Sequence, residues 1–289
     1  MSMSQCIGPS APKRSKLGHL AIALGLAALL AACAAEEPKY VEKPVEELYN
    51  TAVDLMQQQE FTKAAKAFDE VERQHPYSQW ATRAELMAAY SQFRNGEYGQ
   101  AILAAQRYLQ LHPGSEGAPY ANYLIAVSYY EQIVDVQRDQ KATQDALTAL
   151  QLVAARYPDT DFARDAQLKV DLVREHLAGK EMAIGRFYLK RGEYLASINR
   201  FRLVIDEYQT TSHVPEALHR LTEAYLGLGI VHEAQAAAAV LGHNFPGSDW
   251  YQDSYRLLAQ AGVAQPIDQA APVAPRSMWD RMTGVFRRG

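Results

Sequence analysis

The sequence predicts an all-α protein, a solenoid of about five stacked helix–turn–helix repeats behind an export signal. Three observations lead there. A short motif, an aromatic residue or His followed by Pro, any residue, then Ser or Thr, occurs four times: His75-Pro76-Tyr77-Ser78, His112-Pro113-Gly114-Ser115, Tyr157-Pro158-Asp159-Thr160 and Phe245-Pro246-Gly247-Ser248. Small and apolar residues precede each Pro at fixed offsets. Leu48, Ala52, Leu55, Ala64, Phe68 and Val71 lead to Pro76, and Leu218, Tyr225, Ala234, Ala238 and Leu241 lead to Pro246, all at helical spacing. Finally, "QQQE", "RNGEYG" and "GLGI" divide each set into two amphipathic helices. Pro lacks the N–H and clashes with the preceding turn, so it stops one helix, and the Ser or Thr two places on can cap the free N–H groups of the next. The residue before each Pro fills one slot, where a ring can close the gap between units.

This pattern resembles the tetratricopeptide repeat, a unit of about 34 residues with small residues where paired helices cross and Pro near its end. The resemblance implies a right-handed superhelix. Units are expected over about 45–78, 79–115, 116–160, 161–211 and 212–248, with a capping helix over about 249–260. The fourth is degenerate: "GRFYLKRGEYLASINRFRLVIDEYQTT" keeps Tyr188, Phe201 and Val204 in phase but has Gln209 where Pro is expected. Successive stops stand 37, 45, 51 and 37 residues apart. The first excess fits a loop around "DVQRDQKAT"; the second fits a helix extended from about Asp161 to Arg191, which Gly179 and Gly185 weaken. A lone unit cannot bury its apolar face, so the units must stack.

Residues 1–32 read as a signal peptide. Lys13, Arg14 and Lys16 precede a run of mostly Leu and Ala that falls short of the roughly 20 residues a spanning helix needs, which disfavours a retained anchor. The run ends in Leu30-Ala31-Ala32-Cys33, which resembles the bacterial lipobox. By that resemblance the chain is cut before Cys33, Cys33 carries the acyl chains, and Ala34, in place of Asp, suits transfer to the outer membrane. Cys6 is lost with the signal, so no disulfide is possible in the mature chain. Several acyl chains hold a membrane better than the marginal grip of one. Residues 33–44 form a lipidated tether. The mature chain keeps 26 basic against 33 acidic residues, a balance of −7.

Chemistry is sparse. The eight histidines form neither a His-Glu-x-x-His nor a Cys-paired pattern, so no metal is expected. "GLG" at 227–229 has no third Gly in phase and follows no strand, and no Gly-x-Ser-x-Gly elbow appears. The chain is therefore expected to be no enzyme and to need no cofactor. Its acidic balance lacks the basic field that binds phosphates, which argues against nucleic acid. A solenoid offers surface instead. With the first helix of each pair on the concave side, Tyr49, Val53 and Met56 of unit one and Leu86, Tyr90 and Phe93 of unit two make an apolar, aromatic groove for an extended peptide. The plainer reading is that these rings pack between adjacent units.

Longer stretches are more specific. "HPYSQWATRAELMAAYSQFRNGEY", "SYYEQIVDVQRDQKAT" and "FYLKRGEYLASINRF" resemble the BamD family, lipoproteins of the β-barrel assembly (Bam) machinery also described as competence lipoproteins, over roughly residues 33–260. The resemblance implies a lipid-anchored scaffold on the periplasmic face of the outer membrane. It implies contact with the barrel subunit BamA through that subunit's POTRA domain nearest the membrane, association with accessory Bam lipoproteins, and receipt of unfolded outer-membrane proteins. The family's contact with the barrel subunit falls on the C-terminal repeats, where the Arg of "NR" maps to Arg200, with Arg191 on the same side. Left to itself, Arg200 would pair with Asp206 or Glu207. Substrate recognition falls on the N-terminal repeats, so the candidate groove is Tyr49, Tyr77, Leu86, Tyr90 and Phe93.

Residues 261–289 lie outside the repeats as a linker rich in Ala, Gln and Pro and a basic, aromatic tail. Trp279, Met282, Val285 and Phe286 share one side of a short helix among four arginines, either a frayed end or a docking peptide for a partner or membrane. Two rivals share part of this pattern. A pilotin for a pilus or secretion apparatus shares the lipobox and repeats but not the "DVQRDQ" and "RGEYLASINRF" stretches. A cell-wall-associated lipoprotein would need a sugar cleft or paired catalytic carboxylates, which are not identifiable.

Overall fold

Eleven helices and no strand fill the described residues, 42–135 and 138–263, of the computed structural model. In chain order they are α1 Val45–Gln57, α2 Phe61–Gln74, α3 Gln79–Arg94, α4 Tyr98–Leu111, α5 Ala118–Tyr130, α6 Lys141–Arg156, α7 Asp161–Lys190, α8 Tyr194–Glu207, α9 Val214–Gly227, α10 Val231–Asn244 and α11 Asp249–Gln260. The signal segment, Cys33, most of the tether and the tail from residue 264 onward lie outside the described residues.

The recurring motif makes one turn five times. His75, His112, Tyr157, Tyr208 and Phe245 end α2, α4, α6, α8 and α10 with φ between −134° and −124°. Tyr208 does so with Gln209 behind it, so the geometry does not require Pro. The hydroxyls of Ser78, Thr160 and Ser248 accept hydrogen bonds from the backbone N–H of Ala81, Ala163 and Tyr251 at 3.1, 3.1 and 3.2 Å, relieving free donors at the starts of α3, α7 and α11. Ser115, expected to do the same, does not. Its Oγ lies 2.9 Å from the Tyr108 hydroxyl, and α5 starts later, at Ala118, with Pro119 in its first turn. α9 begins the same way with Pro215. A Pro at the start supplies a helical φ and withholds a donor that has no intrahelical partner, so it replaces the hydroxyl cap.

The turns inside the pairs also repeat. Gln59, Gly96, Gly192 and Gly229 take positive φ of 62°, 78°, 75° and 75°. The next residue's N–H reaches back five positions: Glu60 to Leu55, Glu97 to Gln92, Glu193 to Tyr188 and Ile230 to Tyr225. This is the Schellman closure, and among the described residues Gln59 is the one place where a side chain occupies its left-handed position. The same closure follows α11, with Gly262 at 71° and Val263 N–H bonded to Leu258. α11 therefore has the form of the first helix of a sixth unit.

Each helix packs against the next, and the first helices α1, α3, α5, α7, α9 and α11 also touch one another in succession. No second helix makes a comparable contact with the next second helix. The first helices are thus the more closely spaced inner layer of a curved stack. Fully buried alanines, among them Ala52, Ala64, Ala84, Ala101, Ala121, Ala217 and Ala234, let the axes approach.

One helix breaks the regularity. α7 runs for 30 residues, about 45 Å, straight through Gly179 and Gly185. Its first part, with Val170, Val173 and Leu177, shares a core with Leu150 and Val153 of α6. Its second part, with Ala178 and Met182, shares another core with Phe201, Val204 and Leu218. Gly185 is required there, because a Cβ would lie 2.4 Å from Cε1 of Phe201. The fifth pair begins opposite the middle of α7, where the Glu175 carboxylate accepts from the Ser212 N–H at 2.7 Å and its hydroxyl at 3.0 Å. The stack therefore steps along α7 between its third and fifth pairs.

Candidate functional site

The inner layer carries a row of rings because successive first helices place an aromatic at their mutual contacts. Tyr49 of α1 lies 4.8 Å, centre to centre, from Trp80 of α3 and 5.5 Å from Phe68. Tyr90 of α3 lies 6.4 Å from Tyr120 of α5, which lies 5.4 Å from Phe162 of α7; Tyr123 meets the same Phe162 at 5.2 Å. These tilted contacts match the quadrupole preference of aromatic pairs. Phe68 is fully buried, but the rings on the first helices are half-buried, so they join the units and still present an edge to solvent.

The five expected groove residues are not gathered into one pocket. Tyr49 belongs to the cluster at the start of α3, while Tyr90 and Phe93 belong to the next, about 15 Å further along the helix. Phe93 packs on Tyr98 of its own pair at 5.7 Å. Leu86 reaches the start of α5, with its Cδ2 2.9 Å from where a Cβ on Gly117 would stand. Tyr77 sits on the turn before α3, 101% exposed, outside the helical layer. Sequence reasoning missed Tyr120, Tyr123 and Phe162. A signal existed, since Tyr123 stands in unit three where Leu86 stands in unit two, 37 residues earlier.

Polar groups edge this row. Arg94 donates to the Tyr90 hydroxyl at 2.8 Å and stacks over Phe61 at 4.9 Å. Tyr123 donates to Asp165 at 2.6 Å, and Lys169 donates to the same carboxylate at 2.8 Å while lying 5.6 Å from the Tyr130 ring centre. Burial works to raise the pKa of Asp165, but the bonds from Lys169 and Tyr123 outweigh it and hold the carboxyl below its ordinary value. Burial pushes the Tyr120 and Tyr123 hydroxyls well above theirs, so both remain neutral hydrogen-bonding groups. Among the described residues no His, Cys, Asp and Glu side chains gather as a metal site would require.

The fourth pair carries the two candidate arginines. Arg200 donates to Glu181 of α7 at 3.0 Å, not to Asp206 or Glu207: a residue on one face of α8 meets the neighbouring helix before it meets the end of its own. Arg191, just past α7, donates to Glu193 at 2.7 Å and lies 5.3 Å from the Phe187 ring centre. Phe187 and, at the start of α8, Leu195 are 57% and 68% exposed. The exposed Arg191–Glu193 pair is worth about 0–1 kcal/mol in the free protein, yet arginine beside an exposed aromatic ring is a combination that can anchor an interface.

A sequence profile of the family described as "YfiO: Outer membrane lipoprotein" matches residues 41–241, from just before α1 into α10. The chain is similar to curated proteins named outer membrane protein assembly factor BamD. That of Caulobacter vibrioides is 50% identical, over 89% of this chain and 86% of its own length. That of Rickettsia prowazekii is 42% identical, over 85% and 98%. That of Neisseria meningitidis serogroup A is 32% identical, over 82% and 94%.

Proposed function

The chain belongs to the YfiO outer membrane lipoprotein family, and on that premise we propose that it is the helical lipoprotein subunit of the β-barrel assembly complex. It is an outer membrane protein assembly factor of the BamD kind, and the observation that carries this is 50% identity to such a factor over 89% of the chain. Acyl chains on Cys33 hold it on the periplasmic face of the outer membrane. It works by presenting surfaces, not by catalysis.

Two regions of the solenoid divide the work. The fourth pair, with Arg191, Arg200, Phe187 and Leu195, meets a POTRA domain of a BamA-like barrel subunit. There a partner carboxylate compensates the cost of desolvating the guanidinium, and the fork geometry of Arg favours a two-bond contact. The inner layer of the first pairs, with Tyr49, Leu86, Tyr90 and Phe93 and with Tyr77 at the adjoining turn, receives segments of unfolded outer-membrane proteins rich in bulky side chains. Accessory lipoproteins of the complex use surfaces that these two leave free.

Arg200→Ala tests the reading. The Arg200 side chain is 41% exposed, and truncating it opens Glu181, now only 16% exposed, to water, so the fold should survive with an unchanged helical circular dichroism signal. Recovery of the barrel subunit in a pull-down from solubilised outer membranes should fall several-fold. Unchanged recovery would remove Arg200 from the interface, and recovery of a pilus secretin in place of a barrel protein with POTRA domains would overturn the assignment.

A further inference from the structure

The step along α7 leaves part of the inner layer uncovered. In α3, Leu86 and Tyr90 face the next first helix: Leu86 touches the start of α5 at Gly117, and Tyr90 meets Tyr120. Counting from Pro76 and Pro158, the matching residues of α7 are Leu168 and Leu172. Among the described residues nothing covers them. They are 67% and 57% exposed, because α9, the next first helix, starts level with Glu175 and packs further along, where Arg186 donates to Glu216 at 2.9 Å. A regular stack would place a helix here; this one has a vacant slot.

The slot is a cavity as well as an apolar stripe. Tyr130, Ile133 and Val134 from the end of α5 and its following loop, with Leu172, Val173 and His176 of α7, line an open hollow of about 460 Å³, with exposed Glu131 and Asp135 at the rim. Nε2 of His176 is buried and has no hydrogen-bond partner among the described residues. That space suits one or two bulky side chains, and the rim suits a cation. Exposed leucines at helical spacing ask for a helical occupant with apolar residues on one side.

We propose that this slot is filled by the chain's own residues 276–289, docked as the missing helix. The segment reads "RSMWDRMTGVFRRG", with Trp279, Met282 and Phe286 at helical spacing and four arginines against one aspartate, a cationic stretch in a chain that is acidic overall. An aromatic side chain enters the cavity, where the indole N–H of Trp279 can serve His176 Nε2, and an arginine meets Glu131. The reach is sufficient. Val263 is fixed by Gln235, which donates to its carbonyl at 2.7 Å. With α11 two helix widths from α7, about 20 Å, and starting level with α9, Val263 stands about 25–30 Å along the axis from Leu172 and Leu168, so the slot is about 32–37 Å away. Residues 264–275 can span about 40 Å.

Photocrosslinking on the full mature chain tests this. With Leu172→p-benzoylphenylalanine, irradiation should join position 172 to a residue between 279 and 286 of the same molecule, read by peptide mass spectrometry. The same photoprobe at Leu103, on the outward face of α4, should give no such product. Trp279→Ala with Phe286→Ala should lower the yield roughly tenfold, as loss of anchoring aromatics does, without altering the helical signal. The proposal is overturned if position 172 gives no tail adduct, if Leu103 gives it equally, or if the adduct joins two copies and grows with protein concentration.

Discussion

Gly185→Ala offers a sharp test of the packing described for α7. By helix propensity alone the change should stabilise the protein by about 0.8–1 kcal/mol, since Gly is the costlier residue inside a helix. Packing argues the other way. The new methyl carbon would stand 2.4 Å from Cε1 of Phe201 and 2.8 Å from Cδ1 and Cζ, where carbon contacts are ordinarily about 3.5–4.0 Å. The ring would have to retreat by about 1 Å, yet Phe201, Met182, Val204 and Leu221 are all fully buried and leave no exit to solvent. Overpacking of this kind costs about 1–3 kcal/mol, so the net expectation is a loss of about 0.5–2 kcal/mol. Urea unfolding followed by far-ultraviolet circular dichroism measures it. Gly99→Ala, near the start of α4 with open space around its Cβ position, serves as a reference and should be neutral or slightly stabilising. Adding Phe201→Leu to Gly185→Ala should make the pair more stable than the sum of the single changes by more than about 0.5 kcal/mol. A higher urea midpoint for Gly185→Ala alone would show that propensity governs this site and that the close approach is not a constraint.

Gln59→Gly should raise stability by about 0.5–1 kcal/mol in the same assay, because it relieves a side chain held at φ 62°. Thr160→Ala should cost about 1 kcal/mol, while Ser115→Ala should cost less, since only Thr160 caps a helix. Glu85 supplies a pH test: burial, outweighing the hydrogen bond from His112, raises its pKa, so the folded chain holds that proton more tightly than the unfolded one. The stability it contributes is present below the ordinary glutamate pKa and lost as pH rises through the raised value. Glu85→Gln should therefore be more stable than the parent in mildly alkaline buffer, with the gain vanishing in acid.

Much of the fold was legible because its signals are local. A Pro stops a helix and a hydroxyl starts the next whatever surrounds them, so "HPYS", "YPDT" and "FPGS" could be read directly. Tyr208-Gln209 hid the fourth stop because the closing geometry belongs to the residue before the Pro slot, not to the Pro. Ser115 misled because Pro119, four residues later, displaces the helix start. The site was less readable. Arg200 pairs with Glu181, nineteen residues away, and that depends on which faces of α7 and α8 meet. The five groove residues share apolar or aromatic chemistry and membership of the first pairs, yet Tyr49 and Tyr90 are held in different clusters. Their separation follows from their register along α1 and α3, which hydrophobic spacing alone does not report.

The long helix also bears on how the protein unfolds. A regular array of repeats behaves as a chain of nearest neighbours and can lose its end units one at a time while the rest survives. Here Leu177 and Ala178, adjacent in sequence, sit in different cores, and the Tyr208 ring packs against both. Opening either core strips partners from the same backbone segment, so melting that begins at one terminus must either halt before α7 or carry both halves with it. Amide exchange should be slowest in the middle of α7 and quicken toward α1 and α11, a gradient that peaks at the centre of the chain.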